Sequence, residues 1–245
     1  MIKKCEISQK YGANKNAIFY GFAGHSGVDE VCEHASKVYA LKNGFVYKIL
    51  DDKRPANDGS GYWAVFIISR NPDGSYCEWQ IGHLSKILCE VGDTVEPQTV
   101  IGEQGNRGQV FARGKVVTRA MQDAGDTRGS HRHWNKKILA RRTQKEMRVN
   151  PGQYITSWGP EGKIYIDPEG YSYEVLNFNN GLNGSVDPMI DIDFGYRAVQ
   201  GYFDLEQQVI KMGLEASSEA LKYPSLWDEV SALLKSIASY FSKTR

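Results

Sequence analysis

Five histidines occur in 245 residues, and four of them, with one aspartate, sit where their types and spacing could do chemistry. His25 and Asp29 lie in Gly24-His25-Ser26-Gly27-Val28-Asp29. His83 lies in Gly82-His83-Leu84, and His131 and His133 lie in Gly129-Ser130-His131-Arg132-His133-Trp134. Only His34 falls outside, and it reads as a surface or packing histidine. Imidazole is the commonest metal ligand and the usual acid or base near neutral pH. In an extended chain, residues an even step apart face the same side. His131 and His133 therefore share a face, as do His25 and Asp29. Two imidazoles and one carboxylate make a catalytic type of zinc set, with a fourth position left for water. Two further imidazoles would then serve water orientation, proton transfer and oxyanion stabilisation. Spacing alone does not say which histidines take which role. Taken singly, H-x-x-x-D is common by chance and H-x-H is often structural.

These residues must be held by strands. Val38 to Leu41, the turn Lys42-Asn43-Gly44, and Phe45 to Leu50 read as a hairpin, since Asn-Gly between apolar runs favours a tight turn. Asp58-Gly59-Ser60-Gly61 is a turn before the buried-strand run Tyr62 to Ile68. Asn71-Pro72-Asp73-Gly74 turns the chain into a strand from Tyr76 to Leu84, which ends on His83. Val91 to Val95 and Thr99 to Gly102 read as short strand-turn units. The stretch up to about residue 24 reads as loops and turns. Residues 151 to 200 read as turns and short strands, from their Gly-Pro, Asp-Pro-Glu-Gly and Asn-Asn-Gly punctuation. The tail reads as a helix that starts at Pro224-Ser225. Its apolar residues Leu226, Trp227, Val230, Leu233, Leu234, Ile237, Tyr240 and Phe241 recur at steps of three and four. Such a helix docks on the core or on a partner chain. A membrane-surface role fits less well, because its polar face is not markedly basic.

Composition bounds the rest. The length suits one large domain, or one domain with an appendage. A net charge of +1 argues against a chain that binds polymers by bulk electrostatics. Residues 103 to 148 are nevertheless locally basic around His131 and His133. That excess is either a solvated surface or an attraction for a carboxylate-bearing peptide or anionic polymer. No nucleic-acid motif accompanies it, and no nucleic-acid partner is expected. With 25 glycines and 14 tyrosines, strands and turns are favoured over a helical bundle. Cys5, Cys32, Cys77 and Cys89 include no C-x-x-C pair and no zinc-finger spacing. They read as small buried or half-buried thiols, with a disulfide left open and nothing that demands an oxidising compartment. The N-terminus has no run suited to a signal peptide, and no segment suits a membrane span. The expectation is a chain made soluble in the cytoplasm and delivered to its place of action by other means.

The order of these motifs resembles the lysostaphin/LytM-type zinc endopeptidases that cut peptidoglycan cross-bridges. It runs from His25-x-x-x-Asp29 through Gly82-His83-Leu84, Val91-Gly92-Asp93-Thr94-Val95 and Gly102 to Gly108, to His131-Arg132-His133. The resemblance covers about residues 20 to 135. It implies a mainly β fold: an antiparallel β-sheet peptidase core with a groove for an extended peptide, an inserted loop, and a C-terminal α-helical segment. It also implies one Zn2+ per chain held by His25, Asp29 and His133, with His83 and His131 as the catalytic pair. The implied reaction is hydrolysis of a peptide bond in peptidoglycan by water that the metal acidifies. On this reading residues 1–200 form the metallopeptidase domain and 201–245 the helical segment. Gly184-Ser185-Val186-Asp187-Pro188 resembles the closing segment of phage-type members. With the absent leader, this points to a phage lysin acting on the cell wall after release, or carried in a virion. Two departures stand out. Residues 109–128 are an insertion before H-x-H, and Trp134-Asn135-Lys136-Lys137 is more polar than the family strand. The alternatives are a non-catalytic wall-binding domain, or a virion component that assembles through its C-terminal helix.

Overall fold

Large side chains alternate across the central strands and give the protein two buried layers. The computed structural model describes residues 5–13, 24–56, 59–143, 163–166, 171–176, 182, 184–220 and 235. The first strands are β1 (Glu6–Gln9), β2 (Val28–Val31), β3 (Lys37–Tyr39), β4 (Gly44–Leu50), β5 (Ala64–Arg70) and β6 (Tyr76–Gly82). Next come β7 (Leu84–Ile87), β8 (Thr94–Val95), β9 (Val100–Gln104), β10 (Val110–Ala112) and β11 (Lys115–Val117). A short helix α1 (Arg119–Asp123) precedes the long strand β12 (Arg132–Thr143). The chain then forms β13 (Lys163–Ile166), β14 (Tyr171–Val175), β15 (Ser185–Val186) and helix α2 (Met189–Ala220). The main sheet is antiparallel, in the order β1-β2-β12-β6-β5-β4-β8, and a second sheet runs β3-β9-β7. This is the mainly β, antiparallel architecture with a C-terminal helix that the sequence predicts.

One layer packs Val65, Ile67, Cys77, Trp79, Ile81 and Trp134 of the main sheet against Val38, Leu84 and Ile101 of the second sheet and Ile192 and Val199 of α2. The other packs Phe66, Ile68 and Leu139 with Tyr47, Tyr173 and Val175. β5 contributes to both layers, which accounts for its unbroken apolar run from Val65 to Ile68. β12 stays in the sheet despite its polar sequence because its polar groups find partners. Asn135 accepts from Ser185 Oγ at 3.1 Å, Lys136 Nζ reaches Asp191 at 2.5 Å, and Lys137 Nζ lies 3.8 Å from the buried Glu78.

The structure corrects several expectations. β3 and β4 do not form a hairpin: β3 pairs with β9, and β4 with β5 and β8. The turn reverses at Leu41, with φ +63°, rather than at Asn43-Gly44. Gly44 instead lets β4 approach β5, since a Cβ there would lie 2.5 Å from the Ile68 carbonyl oxygen. The insertion is not a plain loop. It folds as the β10–β11 hairpin and α1, whose cap Thr118 accepts from the Met121 amide. Residues 151 to 200 are not all turns and short strands, because α2 begins at Met189 and runs past residue 200. Asp187 Oδ1 accepts the Met189 amide at its start. Ile192, Tyr196, Val199 and Phe203 carry its core face, and Gly195 is required where the helix meets Leu41, whose Cβ would lie 2.5 Å from an added Cβ. Apart from residue 235, the stretch Leu226 to Phe241 lies outside the described residues. Cys5 and Cys32 are not thiols but a disulfide, with Cα atoms 4.9 Å apart, which ties the segment before β1 to the end of β2. Cys77 and Cys89 are free thiols. The basic excess of 103 to 148 is drawn down by acids from elsewhere in the chain. Arg119 pairs with Asp52, Arg132 with Glu30, Lys136 with Asp191 and Lys137 with Glu78. No helix among the described residues is long and apolar enough to cross a membrane.

Candidate active site

Register brings the five predicted residues to one end of the main sheet. β12 lies between β2 and β6, so that His133 stands opposite Asp29 on one side and Gly82 on the other. His131 joins just before β12, through a bridge to Gly105. His83 follows Gly82 directly. His25 is held by β1's extension, where its amide donates to Ala13 and its carbonyl accepts from Gly12, both at 2.8 Å. Gly27 sits behind the cluster. A Cβ there would lie 2.1 Å from the Trp134 carbonyl oxygen and 2.8 Å from His133 Cε1, so only glycine allows the backbone this close.

His25 Nε2, Asp29 Oδ1 and His133 Nδ1 form a near-equilateral triangle. The edges are 2.9 Å from His133 to Asp29, 3.1 Å from His25 to His133 and 3.2 Å from His25 to Asp29. His25 Nδ1 donates to the Lys10 carbonyl at 3.2 Å, which leaves Nε2 as an acceptor. Donor atoms about 2.0–2.1 Å from a tetrahedral zinc are about 3.3 Å apart, within a few tenths of these edges. Two imidazole nitrogens and a carboxylate oxygen converging on one point suit a cation there. The residues fit a zinc ion by donor type and spacing, and they are the one such group among the described residues.

His83 and His131 stand beside the triangle, with ring centroids 4.4 Å apart. Each donates its Nδ1 proton to a backbone carbonyl at 2.8 Å: His83 to Arg107, His131 to Gly129. A carbonyl can only accept, so both rings carry the proton on Nδ1 and keep Nε2 as an acceptor. His131 Nε2 lies 3.6 Å from Asp29 Oδ1. His83 holds a left-handed backbone, φ +60°, which is uncommon outside glycine and is maintained here by its surroundings. His34 takes no part; its Nδ1 meets Ser130 Oγ at 3.1 Å.

Burial opposes a charge on Asp29, but its close contacts with the His133 and His25 rings, with the fields of His131 and His133, outweigh it and hold the carboxyl well below the usual range. Burial, then the fields of His131 and His133, push His83 well below the ordinary histidine value, and burial also lowers His133. Asp29 is thus held as a carboxylate and the His83 and His133 rings are held neutral, the states in which carboxylate and imidazole bind a metal.

Several supporting residues were not singled out from sequence. On the reverse face of β2 and β12, Glu30 Oε2 accepts from Trp134 Nε1 at 3.0 Å and from Tyr196 Oη at 2.6 Å. Arg132 donates to Gln104, Tyr196 and Ser36 at 3.0–3.2 Å. Tyr62 stands edge-on to His83, with centroids 4.8 Å apart, and accepts from Gln80 Nε2 at 3.0 Å. Alternation around Asp29 and His133 was the available signal: Glu30, Arg132 and Trp134 must face the opposite side.

Among solved structures, LytU is 22% identical over 56% of this chain and 77% of its own, with a TM-score of 0.39. The catalytic domain of the antimicrobial peptidase lysostaphin from Staphylococcus simulans is 22% identical over 55% of this chain and 80% of its own, with a TM-score of 0.38. A putative glycyl-glycine endopeptidase from Ruminococcus gnavus is 17% identical over 81% and 57%, with a TM-score of 0.39. The chain spans 44% of lysostaphin in its solution structure. No curated protein matches the chain. The model of the family described as Peptidase family M23 matches residues 23–134.

Proposed function

We propose, from the match of residues 23–134 to the model of peptidase family M23, that the protein is a zinc-dependent endopeptidase that hydrolyses peptide cross-links of bacterial peptidoglycan. The observation that carries this reading is the triangle of His25, Asp29 and His133, with the two oriented imidazoles of His83 and His131 beside it. A zinc ion bound by the triangle supplies a Lewis acid and lowers the pKa of water to about 7.

The remaining steps belong to the chain's own side chains. Nε2 of His83 or His131 takes a proton from the attacking water as its oxygen bonds to the carbonyl carbon. The same nitrogen returns that proton to the leaving amine as the C–N bond breaks. Imidazolium formed in between stabilises the developing oxyanion. The two backbone carbonyls hold the rings in one tautomer throughout, so no reorientation is needed. The Asp29 carboxylate keeps its charge within the cluster and favours the cationic ring of His131 at 3.6 Å.

The biological form of the proposal is a phage-type lysin that meets the wall after release or from a virion. The Cys5–Cys32 disulfide supports action outside a reducing cytoplasm. The test is digestion of purified sacculi of different cross-link chemistry, with mass spectrometry of the fragments, comparing wild type with His83→Ala. New amine and carboxyl ends at one cross-bridge bond, absent in the variant, are expected. Intact walls under zinc-replete conditions overturn the reading.

A further inference from the structure

The insertion between the second sheet and H-x-H grips the three residues that support His83. The Asn106 amide donates to the carbonyls of Asp126 at 2.6 Å and Arg128 at 3.1 Å. The Arg107 guanidinium pairs with Asp123, at the end of α1. The Gly108 carbonyl accepts from Gln122 Nε2 at 2.8 Å, and Gln122 also reaches the Val117 carbonyl at 3.1 Å. The middle residue of this gripped segment is the one whose carbonyl accepts the His83 Nδ1 proton, at 2.8 Å.

The grip extends to the opposite rim. Arg107 stacks over Trp63 at 5.1 Å, and Trp63 Nε1 donates to Asp52 at 3.0 Å. Arg119 of α1 bridges Asp52 at 2.9 Å and Asp123 at 3.0 Å. Asp123 therefore closes a ring of contacts that runs through Arg107, Trp63, Asp52 and Arg119. Besides this bond the His83 ring meets other rings, those of Tyr62, His131 and His133, and none of these takes its Nδ1 proton. Its backbone is left-handed, and Tyr62 touches it only edge-on.

We propose that Asp123 and Arg107 are positioning residues: the folded insertion, through their ion pair, holds the Arg107 carbonyl that fixes the tautomer and direction of the His83 imidazole. The inference rests on the reading of His83 as an acid–base group, but the hydrogen bond it concerns exists whether or not that reading stands. Without the pair, the carbonyl shifts, the Nδ1–H bond lengthens, and the ring samples the other tautomer with its acceptor nitrogen turned away from the site.

The experiment compares wild type, Asp123→Asn, Asp123→Glu and the control Arg128→Gln in the full-length protein. The control removes an ion pair to Asp126 but keeps the backbone carbonyls of residues 126 and 128 that Asn106 uses, and it leaves the Arg107–Asp123 pair untouched. Nitrogen-15 spectra of the His83 imidazole report the tautomer directly. Kinetics on a cross-linked muropeptide give kcat and KM separately. Asp123 is half exposed, so the isosteric Asp123→Asn leaves the fold intact. It is expected to mix the His83 tautomers and lower kcat only about threefold to fivefold, since an exposed ion pair is screened by solvent. KM and zinc content stay unchanged, Asp123→Glu restores both readouts, and Arg128→Gln matches wild type. A single unchanged His83 tautomer in Asp123→Asn overturns the proposal. If wild type cuts no muropeptide, the peptidase reading fails, while the nitrogen-15 comparison still decides this one.

Discussion

At the scale of single residues, the site depends on atoms that approach within a few ångströms and on which of them carry protons. Asp29 is the hub, since His25, His131 and His133 all converge on its Oδ1. Asp29→Asn keeps the shape but removes the charge and offers the ions' place an amide. Zinc content, measured by elemental analysis after dialysis, should fall from one per chain to near zero with the β-sheet circular dichroism unchanged. Gly27→Ala should do the same by steric means, because its methyl collides with the Trp134 carbonyl and the His133 ring. A titration test lies farther along the same face, at Lys137. Burial lowers its pKa from 10.5 to about 8, with Glu78 partly offsetting the shift. Between those values the unfolded lysine still binds a proton that the folded one has lost, so its contribution to stability rises with pH. The stability of wild type relative to Lys137→Met should therefore improve by roughly 1–3 kcal/mol from pH 7.5 to pH 10, measured by urea unfolding. The five site residues could be read from sequence because histidine is scarce here and strand alternation groups what remains. The choice of nitrogen on each ring could not, since it is set by the carbonyls of Lys10, Arg107 and Gly129, and backbone groups have no signature in a sequence.

At the scale of elements, β1 and the residues after it form the near wall of the cluster of His25, Asp29 and His133. Gln9 pairs with Asp29, Lys10 accepts from the His25 ring, and residues 12 and 13 bracket the His25 backbone. The Cys5–Cys32 disulfide fastens this wall to β2, three residues beyond Asp29. It closes a loop across a sequence separation of 27, and loops of that length gain roughly 3–4 kcal/mol from the constraint on the unfolded chain. Reduction should lower Tm by several degrees. It should also weaken zinc binding, because His25 loses a fixed neighbour, and Cys5→Ser should reproduce both effects without reductant. A Tm that ignores reductant would show the wall to be held by β1–β2 pairing alone. This pairing of cysteines could not be read from sequence, because connectivity depends on which strands become neighbours. The same reason undoes the hairpin predicted around Asn43-Gly44. Its two strands are each locally plausible, but the second sheet competes for β3 through Val38 and Ile101, and wins it for the core. The β5–β6 hairpin was legible because its turn, Asn71 to Ser75, is closed locally, the Asn71 amide donating to Ser75 at 2.7 Å.

At the scale of the whole molecule, the site and α2 are two faces of one sheet edge. Asp29 and His133 point to the site, while Glu30, Arg132 and Trp134, one step along the same strands, point to the helix. Tyr196 of α2 meets them there, donating to Glu30 at 2.6 Å and accepting from Arg132 at 3.0 Å. Ile192 and Val199, a turn to either side, are buried in the main core. α2 is thus part of the body that holds β2 and β12, the strands of Asp29 and His133. The turn punctuation that precedes it masks its apolar period in the sequence, and the contact with Leu41 accounts for Gly195 within it. Tyr196→Phe tests the coupling with little change of volume. It leaves the buried Glu30 carboxylate with one donor fewer, and Arg132 with one acceptor fewer, which costs roughly 1–3 kcal/mol. Urea unfolding should report that loss. If the two faces are coupled through β2 and β12, zinc affinity should also fall, though Tyr196 touches no residue of the metal triangle. Lost stability with unchanged zinc affinity would instead make α2 a support for the core alone, with β2 and β12 held in place at the site by their own pairing with β1 and β6.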